Sequence, residues 1–275
     1  MCAVLFVAAG CSTKGHVDSP AVSGTGAASG SAGAGGSGAR GSGAGGSGGA
    51  TASPIGASTT ELVTVISAAW SSVPATLRRY ERAGAAWKPV GVAVPVVLGK
   101  SGLAWGVGLA PHVGEPGPVK HEGDGCSPAG VFGVGTAFGY AAPSDATWLS
   151  LPYVQATSDL ECVDDPASSH YNTLVHKSSV ANVDWNSSEH MLRTDALYRW
   201  GLFVDHNSAP PKPGAGSCIF LHLWRGPASS TVGCTAGEES QIKTVLGWLD
   251  PARQPVIVQL PKPVYDAHRA DWVLP

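Results

Sequence analysis

GSCIFLHLWRGPASSTVGCTAGEE, from Gly216 to Glu239, is the stretch on which fold and chemistry both turn. Ser217 to Trp224 is a β-like run and a candidate strand. That strand delivers His222. Twelve residues later Cys234 stands in the turn Thr231-Val232-Gly233-Cys234. A thiol that follows a glycine can stand exposed on a turn, with neighbouring backbone N–H groups free to face a developing oxyanion. An imidazole in reach would complete a nucleophile and its base. Spacing alone is equally met by a core histidine and a disulfide cysteine.

Working outward, Val90 to Leu98 is rich in valine, and Leu103 to Leu109 alternates with glycine; the turn Gly99-Lys100-Ser101-Gly102 separates them. Val131 to Phe138, Tyr198 to Val204 and Val256 to Leu260 are further strands by the same criteria. Ser58-Thr59-Thr60-Glu61 has the form of a capping box and predicts a helix, with Leu62, Ile66 and Trp70 at helical spacing. Pro74 then breaks or restarts that helix before Leu77-Arg78-Arg79-Tyr80. Gln241 to Leu249 is the one convincing late helix, ended by Asp250-Pro251. Many strands, few helices and no regular βαβ alternation predict a mainly β domain with an N-terminal helical segment and a few short helices.

Composition divides the chain. From Ala21 to Ser53, 29 of 33 residues are Gly, Ala or Ser, too little apolar bulk to offset the entropy of ordering, so residues 12–57 are expected to be a flexible tether. Residues 58–275 remain for one well-buried domain. Cys2 to Ala9 is apolar but too short to span a bilayer, and it runs into Ala8-Ala9-Gly10-Cys11-Ser12. Small residues before a cysteine resemble a bacterial lipobox, which implies a signal peptide over 1–11 and a lipid anchor on Cys11. A tether behind an anchor has a use: a coil of roughly 35 residues spans about 30–35 Å and reaches an adjacent layer. The expected location is therefore exported, in the bacterial cell envelope. The net charge of -3 and the lack of a basic stripe argue against nucleic acid. In an oxidising compartment Cys126, Cys162, Cys218 and Cys234 allow three full pairings, or one disulfide and one spare beside a functional thiol.

The segment around His222 and Cys234 resembles the catalytic segment of the L,D-transpeptidase (YkuD-type) family, with its strand-borne His and its Gly-Cys turn preceded by Ser or Thr. More of the chain is similar to a divergent branch of that family. The similar stretches are HEGDGCSPAGVFGVGTAFGY (His121–Tyr140), CVDDPASSHYN (Cys162–Asn172), WNSSEHM (Trp185–Met191) and VDHN (Val204–Asn207), in order from about residue 60 to about 262. Val232 stands where the better-known branch has a second His, and Thr235-Ala236 follow the cysteine in place of a hydrophobic residue and an Arg or Asn. The resemblance implies a β-rich catalytic domain in which Cys234 is the nucleophile and His222 handles the proton. The Thr231-Val232-Gly233 turn, through the N–H groups of Gly233 and Cys234, would receive the oxyanion. It implies peptidoglycan tetrapeptide stems as donor and acceptor, loss of D-Ala, a 3→3 crosslink, and no metal or organic cofactor. A disulfide between Cys162 and Cys218 is expected alongside it.

Other residues carry weaker signals. His206 and Asn207 end a strand shortly before His222 and are candidates to orient it, against a plain turn role. Trp224 is a candidate groove residue, against simple packing. Glu122-Gly123-Asp124-Gly125 reads as a turn whose Asp caps backbone, or as a calcium or substrate contact. Asp164-Asp165-Pro166 reads as a turn sooner than as paired catalytic carboxylates. Zinc held by His206, His222 and Cys234 is the rival enzyme class, with no HExxH or CxxC spacing behind it. A tethered, non-catalytic wall-binding domain is the other alternative.

Overall fold

In chain order the strands are β1 (Glu61–Ser67), β2 (Pro74–Ala83), β3 (Ala86–Val97), β4 (Leu103–Trp105), β5 (Ser127–Gly139), β6 (Tyr153–Gln155) and β7 (Leu160–Val163). They continue with β8 (Leu174–His176), β9 (Ser188–His190), β10 (Trp200–Val204), β11 (Phe220–Leu223), β12 (Thr235–Gly237) and β13 (Val256–Pro261). Helix α1 (Glu239–Trp248) precedes β13 and α2 (Lys262–His268) follows it. These elements come from a computed structural model that describes residues 53–275, over which the chain is mainly β. The expected signal peptide, Cys11 and the tether up to residue 52 lie outside the described residues.

Eight strands hydrogen-bond in the order β10-β11-β12-β3-β2-β1-β13-β5, and β5 pairs back with β10, so the sheet closes like a barrel. Closure leaves these strands no bare edge. The long β5 makes it possible: Gly130–Gly133 pair with β13, and the stretch from Val134 to Gly139 pairs with β10. A separate three-stranded sheet, β8-β7-β9, forms outside the ring. Two apolar clusters follow. The larger, chiefly aliphatic one gathers Leu62, Val63, Leu77, Leu202, Leu221 and Ile257; the smaller, more aromatic one gathers Phe138, Tyr198, Phe220, Met191 and the cysteines 162, 218 and 234. Full burial of each such large side chain contributes about 1.5–3 kcal/mol.

The expected N-terminal helix is corrected to a β-hairpin, β1 and β2 in antiparallel register from Glu61↔Glu81 to Ser67↔Ala75. Val63-Thr64-Val65-Ile66 are four β-branched residues in a row, which favour a strand. β1 is flanked by β2 and β13 and buried on both faces, so the apolar run shows no alternation that would have announced it. Glu61 caps no helix: it accepts the Asp250 N–H at 2.8 Å and an Arg253 N–H at 3.2 Å. Pro74 occupies the first position of β2, where a missing donor is tolerated. The packed domain also begins before residue 58, because Ile55 is buried in the larger cluster and the Ser53 hydroxyl donates to the Trp272 carbonyl at 2.9 Å.

Candidate active site

β11 and β12 lie parallel, with Leu221 opposite Thr235 and His222 opposite Ala236. Alternation along the pleat sends Ile219, Leu221 and Leu223 into the larger cluster and Cys218 and Phe220 into the smaller. Cys234, the residue that leads into β12, joins the smaller cluster, and His222 lines the cavity beside it. The parallel pairing thus brings the sequence-predicted thiol and imidazole to one face of the sheet.

The turn before Cys234 is held from within. The Thr231 hydroxyl accepts the Gly233 N–H at 3.1 Å and donates to the Cys234 carbonyl at 2.6 Å, to which the Ser127 hydroxyl also donates at 2.8 Å. A side chain on Gly233 would start 3.3 Å from the Cys126 carbonyl oxygen and 3.5 Å from the Ile219 Cδ1, so glycine lets the turn press onto the residues that lead into β5 and β11. Only Val232 projects, 73% exposed. The thiol itself is not exposed as its turn suggested: Cys234 is 5% exposed, at the floor of a cleft. Its sulfur accepts the Phe220 N–H at 3.3 Å and lies 3.6 Å from the Cys218 carbonyl.

Two cavities border Cys234, sharing Lys100, Glu189, Val232 and Cys234 in their walls. One, of about 250 Å³, is lined further by His222, Tyr198, Arg193 and Trp224. The other, of about 330 Å³, is lined further by Lys120, Glu122, Asp164, Ser217 and Gly233. The His222 Nδ1 sits 2.7 Å from the Leu223 carbonyl, a contact that assigns the proton to Nδ1 and leaves Nε2 as the basic nitrogen. Tyr198 packs edge-on to the imidazole with centroids 5.1 Å apart, and its hydroxyl donates to the Glu189 carboxyl at 2.7 Å. The Arg193 guanidinium lies over the Tyr198 ring at 5.0 Å and is fixed by Asp195 at 2.9 Å.

Burial governs the resting charges. It pushes the Cys234 thiol well above its ordinary range, aided by the Glu189 carboxyl and opposed by the Phe220 N–H, Lys120 and Arg193. Burial pulls His222 down to about 4. The pair is therefore neutral thiol and neutral imidazole at neutral pH, so a thiol acting here as a nucleophile would have to lose its proton during attack. Burial likewise raises the Glu189 carboxyl, against the pull of the Tyr198 hydrogen bond.

Sequence-predicted neighbours fall into two groups. Trp224 lines the His222 cavity, and Cys162 and Cys218 form a disulfide that ties β7 to the residue before Ile219. His206 and Asn207 do not bond to His222. The His206 Nε2 contacts the Ala215 carbonyl at 3.1 Å; the Asn207 amide donates to the Lys212 and Gly216 carbonyls at 3.0 and 2.9 Å, bracing the loop that leads into β11. Among the described residues no three His, Cys, Asp or Glu side chains converge as metal ligands, so the zinc triad of His206, His222 and Cys234 is not assembled. Asp124 acts as a turn cap, accepting the His121 and Cys126 N–H groups at 3.0 and 2.8 Å, and Asp165 caps Ala167 at 3.0 Å. Sequence reasoning passed over Lys120, Glu189, Arg193 and Tyr198. Their only prior signal was membership in the stretches around HEGDG, WNSSEHM and the strand before VDHN.

Comparison with models of known protein families, with curated proteins and with solved structures finds no match for this chain.

Proposed function

We propose that the protein is a cysteine acyltransferase of the L,D-transpeptidase type, acting on peptidoglycan stem peptides from an anchored position in the cell envelope. The observation that carries this reading is the meeting of Cys234 and His222 at one cleft, His222 on β11 and Cys234 in the residue before the parallel β12, with Cys234 lining two neighbouring cavities. A two-substrate acyl transfer needs that layout: a donor on one side of the sulfur and an acceptor on the other.

In the proposed reaction the Cys234 sulfur bonds to the carbonyl carbon that follows a diamino acid, while the thiol proton passes to His222. The carbonyl π pair moves to oxygen. Collapse breaks the C–N bond and His222 returns the proton to the departing D-Ala amine. An amine of a second stem then attacks the thioester carbon; as the C–N bond forms and the C–S bond breaks, His222 takes the amine's proton and delivers it to the Cys234 sulfur, restoring the thiol and leaving a 3→3 crosslink. The Gly233 N–H is engaged by Thr231, so the N–H of Cys234 is the backbone donor this turn offers the oxyanion.

The test is incubation of purified protein with tetrapeptide muropeptides, comparing wild type with Cys234→Ala. Release of D-Ala with dimers from wild type alone is the expected result. D-Ala without dimers identifies water as the acceptor and a carboxypeptidase. Equal signals from both proteins, or none from either, leave a tethered wall-binding domain.

A further inference from the structure

We propose that Lys120 is the charge-stabilising residue of the Cys234 site, its buried ammonium facing the negative charge that forms on the sulfur and then on the carbonyl oxygen it attacks. This rests on the acyl-transfer reading above and adds a residue to it.

Lys120 and Asp124 form a 2.8 Å ion pair whose side chains are only 4% and 7% exposed. A charge pair taken this far from water is a poor source of stability by itself, because desolvation offsets the attraction. This one lines the second cavity, together with Gly233 and Cys234. The ammonium nitrogen lies 3.9 Å from where a Gly233 side chain would start, against the peptide that precedes the nucleophile. Among the described residues it donates to Asp124 alone. An ammonium has three donors, so two remain for the cavity.

The position is fixed from both ends. The Asp124 carboxyl is gripped by the His121 and Cys126 N–H groups. Burial alone would raise it, yet the Lys120 bond and those two N–H groups hold it low, so the pair stays ionised. The lysine stem runs past Gly216, where a Cβ would come within 2.9 Å of Cε. The turn also lacks a donor that its sequence suggested, since the Gly233 N–H is spent on Thr231. Lys120 supplies the missing donor, with a full charge.

Charges of both signs line the cavities that border Cys234: Glu189, Glu122 and Asp164 oppose an anion there, while Lys120, Lys100 and Arg193 favour it, with Tyr198 and His222 alongside. Of the cations, Lys120 is buried and borders the Gly233–Cys234 peptide, whereas Lys100 is exposed and Arg193 is committed to Asp195. As the S–C bond forms, the thiol proton goes to His222 and the π pair to oxygen; Lys120 donates a hydrogen bond to that oxygen and keeps its proton. When the C–N bond breaks, the charge returns to the carbonyl and the contact weakens.

The test uses the full chain as wild type, Lys120→Met, Lys120→Arg, and Lys120→Met/Asp124→Asn; the double variant leaves no unpaired carboxylate should the single one fail to fold. Steady-state D-Ala release is read as kcat and KM. Alkylation of Cys234 by iodoacetamide is followed against pH, with adducts mapped by mass to separate Cys126. The charge-removing variants are expected to lose about 10²-fold or more in kcat with KM within about threefold. Their alkylation midpoint moves to higher pH, and Lys120→Arg recovers part of both. Where wild type turns over stems, an unchanged kcat in a folded charge-removing variant overturns the proposal. Where it does not, the acyl-transfer reading fails separately, and an unchanged alkylation midpoint overturns the role of Lys120.

Discussion

The notch around His206 and the cleft around His222 bury their imidazoles equally well, and burial pulls both down to about 4. Their surroundings differ. His206 is wedged between Gly106 and Gly216, where a Cβ would come within 2.8 and 3.0 Å of its ring nitrogens, and it packs edge-on to Phe132 at 5.8 Å. Its Nδ1 has no partner among the described residues, and it borders neither of the two cavities at Cys234. His222 has its Nδ1 anchored on backbone, lines a cavity, and shares that cavity with the thiol of Cys234, the residue before β12. A depressed imidazole therefore marks burial. Function requires, in addition, access and a chemical partner.

The sharpest way to break this contrast is to remove the two rings in turn. His222→Asn is expected to lower D-Ala release by about 10²–10⁴-fold, the usual worth of a general acid–base group. Steady-state kinetics beside a thermal melt checks it, and a variant that keeps the wild-type rate removes His222 from the chemistry.

Acid tests what the two sites share. Each histidine is neutral in the fold down to about 4, whereas the unfolded chain takes up protons near 6.5. Above the unfolded value neither state is charged and stability is flat. As pH falls from about 6.5 to about 4 the unfolded state binds protons that the fold refuses, and stability drops by about 3 kcal/mol per histidine. Urea unfolding across that window reads the slope, and His206→Gln is expected to remove about half of the histidine contribution. An identical slope in the variant would show that His206 is not held neutral.

The smallest effect concerns the notch alone. His206→Gln at neutral pH is expected to cost about 1 kcal/mol of stability and to change D-Ala release by less than about threefold. A larger fall in rate would connect the notch to the cleft through Lys120, which shares Gly216 with His206.

Legibility followed the kind of signal. Strands β3, β5, β10, β11 and β13 and helix α1 were visible because each has a local pattern, an apolar run between turns or a 3.6-residue stripe. β7, β8, β9 and β12 span only three or four residues, too few for any period to show. α2 was hidden by Pro263, which reads as a breaker although a proline in the first helical turn is tolerated. The N-terminal hairpin was misread because Ser58, Glu61, Leu62 and Ile66 satisfy a capping and spacing rule that four consecutive β-branched or strand-favouring side chains override once a sheet is there to receive them.

By itself the sequence determined the mainly β class, the Gly/Ala/Ser composition of the segment before the domain, and the presence of a strand histidine and a Gly-Cys turn. Those are local properties, set by composition and by neighbours a few residues apart. Tertiary structure decided the rest: closure of the ring by β5, the common face of His222 and Cys234, and the burial of a thiol expected at the surface. It also brought Ser127 to the Cys234 carbonyl across 107 residues of chain and Lys120 to the peptide before that cysteine. The reason is physical: cross-strand register and ring closure are set by which surfaces bury against each other, and no window along the chain contains both surfaces.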